Sequence, residues 1–124
     1  MMKIISIFAI ALLASIIGFT TIVSAHGERD TLAQTLSDMT KDLSCESDQQ
    51  CKSYGFGHRP CGGYAAYKLY STKNLHEDTL LENAERYAAL ARQHNNQNGI
   101  GSICSIEMPL QTACIQNECI EVRH

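Results

Sequence analysis

Cys45, Cys51, Cys61, Cys104, Cys114 and Cys119 are the residues of this 124-residue chain best equipped for chemistry, and their spacing narrows which chemistry. Structural zinc favours C-x2-C knuckles, and none occurs. A thioredoxin-like redox centre needs C-x-x-C, which is also missing. An even set of cysteines in a short chain reads instead as three disulfides, provided the chain leaves the reducing cytosol. The first 25 residues supply that provision. Met1, Met2 and Lys3 make a short charged start, and Ile4 to Phe19 is apolar apart from Ser6, Ser15 and Gly18. Val23-Ser24-Ala25 is a small-residue cleavage site of the A-x-A kind. Residues 1–25 are therefore expected to be a signal peptide and 26–124 a single domain, with its cysteine-rich part over 44–124. Retained uncleaved, Ile4 to Val23 would be almost long enough to anchor the chain in a bilayer.

Cleavage after Ala25 would leave His26 at the N-terminus. A terminal amine and its own imidazole can chelate Cu(II), which prefers nitrogen ligands in a tetragonal arrangement. A second histidine must complete such a site. His58, His76, His94 and His124 are the others in the chain, and His58, in a glycine-rich turn, is the best placed by sequence. His26 and His58 are thus the candidate copper ligands.

The stretch Tyr54-Gly55-Phe56-Gly57-His58-Arg59-Pro60-Cys61-Gly62-Gly63-Tyr64 has the most unusual local composition. Its glycines permit positive φ and close backbone approach, and its aromatics offer contact area. Phe56, His58, Arg59 and Tyr64 are the candidate binding residues of a disulfide-pinned recognition loop. The competing reading makes the same aromatics part of the core. Hydrolytic constellations have little support. His58, Ser53, Asp48 and Glu46 are close in sequence, yet there is no G-x-S-x-G elbow and no H-E-x-x-H helix. No catalytic residue is assigned.

These residues need a scaffold. Leu32, Leu36, Met39 and Leu43 recur at helical spacing, which predicts a helix over Glu28 to Leu43 with Asp30 or Thr31 near its N-cap. A second helix is predicted from His76 to Asn95. Leu80, Ala84, Tyr87, Ala91 and His94 form its stripe, which Leu81, Ala88 and Leu90 broaden. Asn95 to Gly99 should end it. Glu82 and Arg86 should pair along it, and Glu77, Asp78, Glu82 and Glu85 should be its solvated face. Strands are expected over Gln50 to Phe56 and, ahead of a helical alternative that Ala65, Ala66, Lys68 and Leu69 would favour, over Tyr64 to Tyr70, and weakly over Ser102 to Met108. A hairpin of Thr112 to Gln116 and Cys119 to Val122 should turn at Asn117-Glu118. The second helix separates the two cysteine clusters, so at least one bridge should link them.

The pattern Cys45-Glu46-Ser47-Asp48-Gln49-Gln50-Cys51, Gly57, Cys61-Gly62-Gly63, Tyr67 and Tyr70-Ser71 resembles a group of small exported cysteine-rich bacterial proteins of unknown function. The similarity runs on through Gly99, Ser102, Cys104, Cys114 and Cys119, covering roughly residues 44 to 120. It implies export and cross-linking, and carries over no site residue. The chain departs from that group in Tyr64-Ala65-Ala66 after the glycines and in its additional N-terminal helix.

Charge excludes some partners. Lys and Arg number 10 against 13 Asp and Glu, for a net charge of −3. The basic residues are scattered, so there is no stripe for nucleic acid. The expected fold is α+β: two amphipathic helices packed on a small antiparallel sheet and cross-linked by three disulfides. The expected function is a secreted or periplasmic binding or inhibitory protein acting on a protein or cell-envelope partner, with no stable membrane span once the signal is cleaved. The alternative is a small secreted copper protein or enzyme using His26 with His58.

Overall fold

The longest element follows directly from its apolar stripe. Leu80, Ala84, Ala88 and Ala91 are the buried residues of a helix over Glu77–Asn98 (α2). Steps of three and four keep them on one face. Leu81, expected to broaden that stripe, is 43% exposed, because one residue's advance turns a side chain about 100° away. Glu77 and Asp78 occupy the first turn, where negative charge suits the helix dipole. Gly99, at φ 58°, ends the helix in the left-handed conformation.

The computed structural model describes residues 24–101 and 104–123. Residues 1–23, which hold most of the expected signal peptide, and His124 lie outside them, as do Ser102 and Ile103 of the expected weak strand.

The other helix spans Ala25–Met39 (α1). It starts earlier than the sequence suggests, because Ser24 accepts the Gly27 N–H at 3.4 Å and so outcompetes Asp30 and Thr31 as cap. It also stops short of Leu43. Leu36 is its fully buried residue, and Met39 packs beside it. α1 lies along α2, where Arg86 pairs with Glu28. The expected Glu82–Arg86 pair gives way to this link between helices.

Strands Cys51–Phe56 (β1) and Ala66–Ser71 (β2) form an antiparallel ribbon in which Cys51 faces Ser71 and Phe56 faces Ala66. Alternation sends successive side chains to opposite faces. Tyr54 and Tyr70 meet edge to face at 5.9 Å and join Leu36, Leu80 and Ala84 in the main core. The other face carries Cys51, Ser53, Gly55, Tyr67 and Leu69.

Thr112–Ile115 (β3) and Glu118–Glu121 (β4) form a second ribbon against that other face. Its turn is Gln116-Asn117, one residue earlier than the sequence suggests. Both residues have positive φ (51° and 61°), as a two-residue type I′ turn demands. Residues 104–108 are not a strand, so the expected extra strand is absent among the described residues. Pro109, which has no N–H to give a ladder, follows directly. The fold is α+β as expected, with two two-stranded sheets in place of one.

Three disulfides join these layers: Cys45–Cys114, Cys51–Cys119 and Cys61–Cys104. Every bridge links the first cluster to the last. Cys114 and Cys119 are direct cross-strand neighbours, so the second ribbon is fastened through β4 to the start of β1 and through β3 to Cys45, in the segment that leads into β1. Cys45, Cys51 and Cys119, with Leu43, Leu69 and Cys114 packed against them, make a second, sulfur-rich core.

Candidate recognition surface

The connection from β1 to β2 is the glycine-rich stretch. Gly57 turns it at φ 72°. A tight turn then closes through Gly62 N–H to the Arg59 carbonyl and Arg59 N–H to the Gly63 carbonyl, both at 2.9 Å. Cys61 at the tip is bonded to Cys104, which brings residues 104–108 alongside. Arg59 strengthens the attachment. Its Nη1 donates to Ser105 Oγ at 2.9 Å, and its Nη2 pairs with the Glu107 carboxylate.

Between the two segments lies a groove of about 440 Å3, walled by Gly62, Gly63, Tyr64, Tyr67, Ile106 and Glu107. The Tyr64 ring sits directly over Gly55, in space that any β-carbon there would fill. It meets Tyr67 edge to face at 5.7 Å. The Tyr64 hydroxyl donates to Glu85 of α2 at 3.2 Å. Burial, and then the negative charge of Glu85, push that hydroxyl's pKa up, so it stays a donor. Ile106 is 89% exposed and Met108 72%, beside the groove.

The four candidate binding residues therefore occupy different places. Tyr64 walls the groove and Arg59 braces its far side. Phe56 stacks on Tyr87 at 4.4 Å, beneath the Lys68 ammonium, and packs against the main core. His58 turns toward the end of α2: its carbonyl accepts from Asn95 Nδ2 at 2.8 Å, and its Nδ1 is buried without a hydrogen-bond partner. Tyr67, Ser105, Ile106, Glu107 and Met108 join this surface without having been singled out by the glycine-rich composition. The available signal was Ser105-Ile106-Glu107-Met108-Pro109, an apolar alternation with no partner strand beside it.

The ring beside His26 is that of His94, edge to face at 5.1 Å, in a small depression that Arg29 also lines. Partial burial, then the charges of Arg29 and His26, lower the His94 pKa and favour its neutral ring. The sulfurs of Cys45, Cys51 and Cys119 cluster within 4.8 Å, but all are oxidised and offer no thiolate to a metal.

Glu77 is more than part of a solvated face. It accepts from the Tyr70 hydroxyl at 2.6 Å and from Lys52 Nζ at 2.8 Å. Those two bonds, Lys52 first, hold its pKa below the usual carboxylate value. Burial and Glu77 together push the Tyr70 hydroxyl upward.

No protein-family model, curated protein or solved structure matches the chain.

Proposed function

We propose that the chain is a small exported binding or inhibitory module that engages a protein or cell-envelope partner through the Tyr64–Tyr67–Ile106 groove. The observation that carries this reading is a rigid apolar surface left open to solvent. Two tyrosines and an exposed isoleucine stand on backbone pinned by a disulfide and by the Arg59 fork. Tyrosines and fixed loops lose little conformational freedom on binding, which favours affinity from a small area. The described cysteines are all oxidised, which fits a compartment outside the reducing cytosol. Among the described residues, no helix is long and apolar enough to cross a membrane. The resemblance to small exported cysteine-rich proteins supports the same placement.

The test uses a Tyr64→Ala, Tyr67→Ala double variant beside the wild type. Wild-type protein should be retained by isolated envelope fractions or by purified exported proteins, and the variant should lose retention while still unfolding cooperatively with its three disulfides intact. Equal retention of both forms would remove the groove from the account.

A second reading keeps copper, favoured by the 5.1 Å approach of His26 and His94. Cleavage after Ala25 would add the His26 amine to two imidazoles, with His94 taking the part that sequence gives to His58. Arg29 in the same depression opposes a cation, so the binding reading stands first. Copper(II) titration of protein cleaved after Ala25 separates them: binding no tighter than to buffer removes copper.

A further inference from the structure

We infer that residues 104–109 form a substrate-like loop that docks in the cleft of a serine endopeptidase, with Ile106 in its specificity pocket. This rests on the reading of the chain as a binding or inhibitory module, and it names the partner class.

Three observations meet in this loop. First, Ile106 projects with 89% of its surface exposed, and Glu107 separates it from Met108 at 72%. A proteinase cleft takes single side chains into pockets while pairing with the main chain beside them, as a sheet edge takes an added strand. Second, the main chain is free for that pairing. Among the described residues, 105–109 enter no helix, strand or backbone–backbone hydrogen bond. Third, the loop is clamped on both sides. The Cys61–Cys104 bridge holds its start. The Leu110 N–H donates to Ser53 Oγ at 3.2 Å, the Thr112 hydroxyl donates to the Cys51 carbonyl at 2.7 Å, and Cys114 is bonded to Cys45.

The Arg59 fork gives this arrangement its meaning. One guanidinium holds Ser105 and Glu107, the residues on either side of Ile106. A flexible peptide at this position would be cut and released. Here the ends stay together. The enzyme's serine oxygen would bond to the Ile106 carbonyl carbon as the bond to the Glu107 nitrogen breaks, and that nitrogen would leave carrying the serine's proton. Arg59 keeps the Glu107 amine beside the ester. Its return re-forms the peptide bond and gives the proton back to the serine. Holding reacting groups in place makes re-formation compete with hydrolysis, and the loop's prior order makes binding tight.

The experiment measures residual activity of active-site-titrated serine endopeptidases with aliphatic, large apolar or basic specificity, mixed with the purified disulfide-bonded protein. Wild type should inhibit one of the two apolar-specific types and leave the basic-specific type untouched. Ile106→Lys should transfer inhibition to the basic-specific enzyme. Glu107→Gln and Ser105→Ala leave the disulfides intact and should each weaken inhibition by about tenfold or more, as expected for loss of a charge-assisted bond. Both variants should also gain the mass of one water at the Ile106–Glu107 bond as hydrolysis overtakes re-formation. Rapid wild-type cleavage at that bond overturns the inference, as does failure of Ile106→Lys to change specificity. Absence of inhibition with Tyr64- and Tyr67-dependent partner retention overturns the loop and leaves the binding module standing; absence of both overturns the two together.

Discussion

Tyr64 can wall the groove because Gly55 leaves room beneath its ring, so the two positions act as one. A β-carbon on Gly55 would occupy the ring's own space. Gly55→Ala should therefore cost about 1–3 kcal/mol by overpacking, and should tilt Tyr64 out of the groove. Denaturant unfolding with tyrosine fluorescence checks both effects. Tyr70 offers a second residue-scale test. It is 2% exposed and donates to Glu77, so Tyr70→Phe should cost roughly 1.5–3 kcal/mol, the range for a hydrogen bond to a charged group. Acid provides a third. The Ser44 hydroxyl and then Asn74 hold the Asp42 carboxyl at about 2, and Lys52 and Tyr70 lower Glu77. A carboxyl depressed on folding stabilises the fold above its unfolded value, near 4. That stabilisation should vanish as pH falls from about 4 through the folded values toward 2. Asp42→Asn and Glu77→Gln should flatten this acid limb in melting curves taken across that window.

At the scale of elements, helix and hairpin ends decide the tests. Gln116 and Asn117 both occupy positive φ, a region that costs an ordinary L-residue about 1–2 kcal/mol. Asparagine followed by glycine suits a type I′ turn better. Gln116→Asn with Asn117→Gly should raise stability by about 1 kcal/mol without altering the disulfides, as read by chemical denaturation. Elements with strong local signals were legible in the sequence. The stripe of α2, its Gly99 stop and the β1 and β2 runs all carry their own period or punctuation. Elements set by competition were not. Ser24 caps α1, whereas the sequence places Ser24 in a cleavage site and offers Asp30 or Thr31 for the cap. Residues 105–108 alternate like a strand, yet Pro109 and the pull of Cys61 and Arg59 leave them without a partner strand. Arg86 had Glu82 one turn away in sequence, but the approach of α1 gave it Glu28.

For the whole molecule, the disulfides decide how the parts meet. Helices cover one face of the first ribbon and the second ribbon covers the other, and the proposed recognition groove lies beside Cys61–Cys104, one of the three joins between the cysteine clusters. The sequence shows that six cysteines should pair and that some bridge should cross α2. It does not choose among the pairings, because partners more than 40 residues apart are brought together by packing that no local pattern encodes. Closing such long loops should stabilise by roughly 2–4 kcal/mol each, so a reduced and alkylated chain should lose its cooperative melt. The most direct test is peptide mapping by mass spectrometry of the unreduced protein. Three cross-linked peptides are expected, in the pairing of Cys45 with Cys114, Cys51 with Cys119 and Cys61 with Cys104. A bridge within either cluster, or any free thiol, would contradict it.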